Sequence, residues 1–154
     1  MKLTTIIAVL MAFSAGSTGY AAAAENSKIN VSVDATSSDV VGQQFVYELR
    51  EALGSSSHLA SAATEDEPFF QLKIVTLDPY SNLPGSAQSA TVYSVVLTGQ
   101  AFNGGQSKYF LDQWVGTCGG NFVHQCAARI LASADAEMTP IIESIRKSVQ
   151  KPRS

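Results

Sequence analysis

The sequence carries little charge and no cluster of basic residues. Lys and Arg number 10, Asp and Glu number 13, and charged residues make up 15% of the 154 positions, for a net charge of −3. The lack of a basic patch argues against a nucleic-acid-binding protein. Low charge together with seven Phe, five Tyr and one Trp excludes an intrinsically disordered chain. The length is that of one ordinary folded domain.

Catalytic and metal-binding motifs are also scarce. The sequence has none of the motifs of serine hydrolases, zinc proteases, phosphate-binding loops or EF-hands. Residues 144–147 (SIRK) match the S-x-x-K motif of penicillin-binding enzymes, but the companion motifs are missing, so we interpret the match as an exposed helix face. Two histidines, His58 and His124, have no partner at a diagnostic spacing. We therefore predict a protein that is not an enzyme and that uses no metal and no cofactor.

The N-terminal segment, residues 1–24, has the pattern of a secretory signal peptide. Lys2 precedes an apolar run of 11 residues, which is too short to span a membrane, and four alanines stand directly before Glu25. We predict cleavage near Ala24 and one domain over residues 25–154, located in the periplasm or, alternatively, secreted. No cysteine stands directly after the apolar run, since the first one is Cys118, and this excludes a lipoprotein. No later segment is long and apolar enough to span a membrane.

The sequence contains two cysteines, Cys118 and Cys126. An even number of cysteines in an exported chain predicts a disulfide bond. Two glycines directly after Cys118 favour the sharp turn that the bond needs. A redox-active pair remains an alternative, although it usually has the C-x-x-C spacing. A nucleophilic pair of Cys118 with His124 is a second alternative.

Periodic patterns predict most of the secondary structure. Apolar residues at i, i+4 predict a helix over residues 40–53, with its N-cap among residues 37–39 and its end at Gly54. A second helix is predicted over residues 122–134, capped by Asn121, and a last helix begins at Thr139; alternatively, one long helix continues with a kink at Pro140. Alternating or β-branched runs predict strands at residues 28–33, 58–62, 69–77, 90–102 and 106–116, with a hairpin turn at residues 103–105.

These elements predict an α+β fold with the order β-α-(β)-β-β-β-α-α. The expected architecture is a two-layer sandwich, in which two or three helices cover one face of a mainly antiparallel sheet of four or five strands. The order of elements resembles that of the small α+β domains of bacterial envelope proteins, such as the domain that precedes the propeller in TolB. This resemblance implies a fold, and a fold alone does not determine a function.

Aromatic residues on the predicted hairpin form a candidate interaction surface. Its members are Tyr93, Tyr109, Phe110, Asp112 and Trp114. Strict alternation places Tyr109 on one face with Leu111 and Val115, and places Phe110, Asp112 and Trp114 on the other. We expect Trp114 to be at least partly accessible and Tyr109 to be the more buried of the two. Ordinary cross-strand pairing of aromatic residues is the alternative interpretation.

The functional hypothesis is an exported, non-catalytic binding or accessory protein. Its partner would be another envelope or exported protein, met through the hairpin or its free edge, and nucleic acid is not expected. An inhibitor or immunity-type protein is one specific version, because a small acidic domain suits a basic enzyme cleft. The alternative is a small envelope hydrolase or a thiol-redox protein that uses Cys118 or His124. The pattern names neither the partner nor the oligomeric state.

Overall fold

Five strands and two helices make up the part of the chain that the computed structural model describes, residues 28–62, 70–85, 87–100 and 107–150. The predicted signal peptide and the predicted hairpin turn lie outside these residues. The strands are β1 (Ile29–Ser37), β2 (Leu59–Ser61), β3 (Phe70–Leu77), β4 (Ala90–Gln100) and β5 (Lys108–Gly119). The helices are α1 (Val40–Ser55) and α2 (Val123–Gln150), and a 3₁₀ turn at Gly120–Phe122 precedes α2.

The strands form one mixed sheet in the order β2-β1-β3-β4-β5. β4 pairs antiparallel with β3 and β5, which is the predicted meander, whereas β1 pairs parallel with both β2 and β3. The α+β class is confirmed, and so is the order of elements up to the C-terminal part, where one helix replaces the predicted two. The parallel part was not predicted. It arises because α1 carries the chain back along the sheet before β2 and β3 begin, so that both run in the direction of β1.

The hydrophobic core lies between the helices and one face of the sheet. Every second residue of β3 and β4 is buried, which agrees with the predicted period of two. The predicted i, i+4 row of α1 is buried against them and consists of Val41, Phe45, Leu49 and Leu53. Helix α2 packs against α1 with a buried stripe that includes Ala127, Ile130, Ala134 and Met138. The second layer of the sandwich is therefore built by both helices.

A buried carboxylate fixes the start of α1. Asp39 is one of the predicted N-cap residues; it is 4% exposed, and its Oδ1 accepts the N–H of Gly42 at 2.6 Å. Its Oδ2 lies 2.8 Å from the hydroxyl oxygen of Thr76 and 3.1 Å from that of Thr91. A Cβ at position 42 would stand 2.5 Å from Oδ2, so this close approach requires a glycine. The carboxylate thus ties the helix to β3 and β4.

Helix ends differ from the predicted ones at three places. Gly54 does not end α1, which continues to Ser55. Asn121 lies in the 3₁₀ turn and does not cap a helix. The C-terminal part is one helix that passes through Pro140, so of the two alternatives the single helix is correct. Both Pro140 and Ala136 are exposed, and water can therefore reach the carbonyl of Ala136 that lacks its usual N–H partner.

A β-bulge in β5 changes the faces that strict alternation predicts. The register between β4 and β5 shifts at one point, which leaves Leu111 as an extra residue. As a result, Tyr109 shares the helix-facing side of the sheet with Trp114, and Phe110 shares the other side with Val115. The predicted grouping of Tyr109 with Val115, and of Phe110 with Trp114, is wrong because the sequence pattern contains no sign of the extra residue.

Candidate protein-binding surface

The face of the sheet opposite the helices carries an exposed apolar surface. Val75 is 54% exposed, Leu77 51%, Phe110 64% and Val115 66%. The half-buried valines of β4 at positions 92 and 96 point to the same side. We call these six residues the open face. In the described part of the chain, both helices lie on the other side of the sheet.

Strand register brings four members of the open face side by side. Ser94 of β4 lies between Val75 of β3 and Val115 of β5, and Val92 lies beside Leu77. Since neighbouring strands are about 4.8 Å apart, the backbones of Val75 and Val115 are about 10 Å apart. Val75, Leu77, Val92 and Val115 therefore form one patch across three strands, and Phe110, opposite Thr98, lies diagonal to Val96 at the other end of the same face.

The five predicted surface residues fall into three environments. Phe110 belongs to the open face; Tyr109, Asp112 and Trp114 lie on the helix-facing side of β5; and Tyr93 is in the core. Tyr93 is 5% exposed, and its ring stacks on that of Phe45 with 5.0 Å between centroids and 13° between planes. Its assignment to a binding surface is wrong, because it occupies a helix-facing position of the inner strand β4, beneath α1.

Trp114 and Tyr109 only partly match their predictions. Trp114 is half-buried against the core, so its predicted partial accessibility is confirmed. Tyr109 is 40% exposed and is not the more buried of the two. Its ring lies across Gly99 of the neighbouring strand, where a Cβ would stand 2.7 Å from the ring. The ring thus covers a strand glycine near the end of the sheet and does not enter the core.

Five of the six members of the open face, all but Phe110, were missed by sequence reasoning, and the two on β3 are the clearest case. Val75 and Leu77 both occupy the solvent-facing positions of β3, where polar residues are expected. The sequence did contain a signal: of the four solvent-facing residues of β3, Gln71 and Lys73 are polar, but the next two are apolar. Their proximity to Val115 follows from the strand order and is not visible in the local sequence.

The predicted disulfide bond between Cys118 and Cys126 is confirmed. It joins the end of β5 to the first turns of α2, with 6.3 Å between the two Cα atoms. The two cysteines are 1% and 5% exposed, so the bond is part of the core. His124, the other half of the alternative nucleophilic pair, is exposed and lies with its Nδ1 2.9 Å from Oε2 of Glu48 on α1. It therefore contributes a contact between the helices.

A small cleft of about 180 Å³ lies between the N-terminal end of β1, the segment before β2 and the C-terminal half of α2. Lys28, His58, Glu143 and Arg146 line it, so charges of both signs face the same space. His58 is exposed, and its Nδ1 is 3.8 Å from Asp135. Mixed charge and wide exposure give this cleft no clear ligand preference.

The described residues contain no group of three or more His, Cys, Asp and Glu side chains that could hold a metal ion. Within the same part of the chain, no helix has the length and apolar character needed to cross a membrane. The chain matches no model of a known protein family and none of the curated proteins. The case for a function therefore depends on the surface described above.

Proposed function

We propose that this chain is an exported binding protein that acts through contact with another protein of the cell envelope, and that the open face is its contact surface. The observation that carries this proposal is the apolar patch of Val75, Leu77 and Val115, with Phe110 further along the same face, each more than half exposed. Contiguous apolar surface on a folded domain is typical of interaction sites, because contact with a partner removes that surface from water.

Polar residues are interspersed in the patch, and they favour a reversible contact over a permanent one. Ser94 lies between Val75 of β3 and Val115 of β5. Lys73 and Gln113 flank Val96. Interfaces between proteins that also exist separately have such a mixed composition, whereas permanent interfaces resemble a domain core. The protein is thus expected to exist both free and bound to its partner.

The buried disulfide and the N-terminal pattern support export. Disulfide bonds persist in oxidising compartments, and the pattern of residues 1–24 is that of a secretory signal peptide. The inhibitor version of the proposal draws on charge. Without Lys2, nine Lys and Arg remain against thirteen Asp and Glu, 9 − 13 = −4, which suits a basic partner.

The alternative of a hydrolase or thiol-redox protein receives less support. Both Cys118 and Cys126 are joined in a buried disulfide, so neither is a thiol ready for nucleophilic attack. His124 is paired with Glu48 on the surface. Titration of thiols in the native protein separates the two hypotheses: the binding hypothesis predicts no reactive thiol, and the thiol hypothesis predicts one.

The test is capture of partners from an envelope extract by the mature protein and by single variants. Val115→Lys and Leu77→Lys place a charge on the open face, and Tyr47→Lys is the matched control. Tyr47 is 60% exposed on α1, so it is as accessible as the two test residues but lies in the helix layer. All three variants are expected to keep the fold, because each changes an exposed side chain.

The proposal predicts a stoichiometric partner that the wild type and Tyr47→Lys retain and that both open-face variants lose. A partner that all three variants retain would refute the assignment of the surface. The absence of any stoichiometric partner of the wild type would refute the proposed function itself.

A further inference from the structure

Strand β5 forms one edge of the sheet, and its outward-facing backbone groups can be identified. The N–H of Gly120 donates to the carbonyl of Ser89 at 3.0 Å, so this pair of positions is a hydrogen-bonded pair of the antiparallel ladder. Because such pairs recur at every second residue, positions 118, 116, 114 and 112 also direct their backbone groups to β4. The backbone groups of Gln113, Val115, Thr117 and Gly119 therefore point away from the sheet.

One end of this edge is protected, and the other is not paired with any residue that the structure describes. The outward N–H of Gln113 donates to Oδ1 of Asp112 at 2.7 Å, and the bulge at Leu111 lies two residues before Gln113. Such side-chain caps and bulges are devices that keep an edge strand from pairing. The N–H groups of Val115 and Thr117 donate to none of the described residues. Pairing with another strand is thus blocked at one half of β5 and left open at the other.

A groove of about 480 Å³ runs along the open half of the edge, between β5 and the start of α2. Its walls are Thr117 and Gly119 on the strand side, and Phe122, Gln125, Cys126 and Arg129 on the helix side. The two strand residues are the ones whose backbone groups point outward. Phe122 is 57% exposed, so the groove offers an apolar side chain beside unpaired backbone.

The charge of the groove indicates which kind of peptide can bind there. Arg129 is the one charged side chain among the described residues that line it, and it forms no ion pair or hydrogen bond with the described part of the chain. It lies seven residues after Phe122, which places both on the same side of the helical segment. An extended peptide in the groove would thus meet an apolar contact and a free guanidinium along one side.

From these observations we propose that the groove binds an extended, acidic peptide segment of a partner protein, which adds to β5 as a sixth strand. Backbone hydrogen bonds to Val115 and Thr117 hold the segment, as in other cases of strand addition. One of its apolar side chains contacts Phe122, and a carboxylate pairs with Arg129. The apolar side chain and the carboxylate lie on the same side of the bound segment, so their position numbers in the peptide differ by an even number. This inference rests on the proposed function and names the kind of segment that the partner contributes, which is a local property and independent of the partner's net charge.

The first test removes one outward-pointing backbone N–H of β5 and keeps the hydrogen bonds between β5 and β4. Thr117→Pro deletes an N–H that points outward, and proline is tolerated at such edge positions because β4 loses no hydrogen bond. Thr117→Ala is the matched control, because it removes the side chain and keeps the N–H. A library of random peptides about seven residues long, the length of the segment from Gln113 to Gly119, is selected against the wild type. The selected peptides are the probe.

The expected result is enrichment of peptides that contain Asp or Glu and lack a central proline. Their affinity falls about tenfold or more with Thr117→Pro and stays within about twofold with Thr117→Ala. Hydrogen exchange slows at the amides of Val115 and Thr117 when such a peptide binds. Enrichment of basic peptides, no enrichment at all, or unchanged exchange at these two amides would overturn the proposal.

The second test changes charge on an exposed helix face and does not depend on the fold of the proline variant. Arg129→Glu is expected to lower the affinity of the acidic peptides about tenfold or more, and Lys147→Glu, on the same helix outside the groove, is expected to leave it unchanged.

The full-length partner from the capture experiment separates the two proposals. A partner lost with Val115→Lys but retained by Thr117→Pro and Arg129→Glu would uphold the open face and overturn strand addition. A concentration-dependent dimer that Thr117→Pro abolishes would overturn it too, since the occupant would be a second copy.

Discussion

Removal of the Asp39 carboxylate tests how the fold is held at the start of α1. In Asp39→Ala, the N–H of Gly42 loses the acceptor that lies at 2.6 Å, and the loss of such an N-cap costs about 1 kcal/mol. The hydroxyls of Thr76 and Thr91 lose an acceptor at 2.8 and 3.1 Å. Each keeps a further oxygen nearby, Oγ of Ser37 at 2.7 Å for Thr76 and the carbonyl of Leu77 at 3.3 Å for Thr91. Each hydroxyl therefore adds about 0.5–1 kcal/mol to the loss in the free energy of unfolding.

The free energy of unfolding of Asp39→Ala is thus expected to be lower by about 2–3 kcal/mol. Asp39→Asn keeps an oxygen that can accept the N–H of Gly42, so it should lose about half as much. Ser38→Ala is the matched control: Ser38 is the neighbouring predicted cap residue, it is exposed, and its loss should change stability by less than about 0.5 kcal/mol.

Urea denaturation followed by circular dichroism measures these differences. With a slope of about 1.5 kcal/mol per molar urea, Asp39→Ala should shift the midpoint down by about 1.3–2 M. The reasoning would be refuted if Asp39→Ala were as stable as the wild type, or if Ser38→Ala cost as much as Asp39→Ala.

Three further predictions concern the disulfide, a strand glycine and the tryptophan. Replacing both Cys118 and Cys126 by Ala opens a loop of about nine residues and should lower the free energy of unfolding by about 2.5 kcal/mol, measured by urea denaturation. Partner binding should remain intact, and loss of binding at unchanged stability would contradict a structural role. Gly116→Ala should cost about 1–3 kcal/mol, because its Cβ would stand 2.6 Å from the hydroxyl oxygen of the buried Tyr93 and 2.8 Å from a carbon of its ring. Gly54→Ala, with nothing within 4 Å of the added Cβ, should be neutral or stabilise the protein, and equal effects of the two changes would contradict the packing argument. Acrylamide should quench the fluorescence of Trp114 to an intermediate extent, since the side chain is half-buried, and quenching typical of a fully buried indole would contradict this.

Local patterns were sufficient to predict most of the elements but not the arrangement of the sheet. The row at Val41, Phe45, Leu49 and Leu53 predicted α1 because a helix with one buried face repeats its apolar residues about every four positions. The alternation in β3 predicted its buried side for the corresponding reason. The parallel pairing of β1 with β3 joins residues about forty positions apart, and no local pattern records it.

The candidate surfaces were less predictable than the elements, because they depend on single irregularities and on strand order. The extra residue Leu111 reverses the faces of Tyr109 and Phe110, and a sequence with strict alternation would look the same. Arg129 is unremarkable on a helical pattern and becomes significant only beside the free edge of β5. The disulfide, by contrast, was predictable because only one pairing exists for two cysteines.

The central claim is that the open face is where a partner binds, and methyl NMR tests it most directly. The protein is labelled at Val, Leu and Ile methyl groups and titrated with the partner captured from the envelope. The account predicts that the methyl signals of Val75, Leu77 and Val115 shift or broaden first, while those of the exposed helix residue Val40 and the half-buried Ile142 stay unchanged. Changes confined to the helix methyls, with none on the open face, would contradict it.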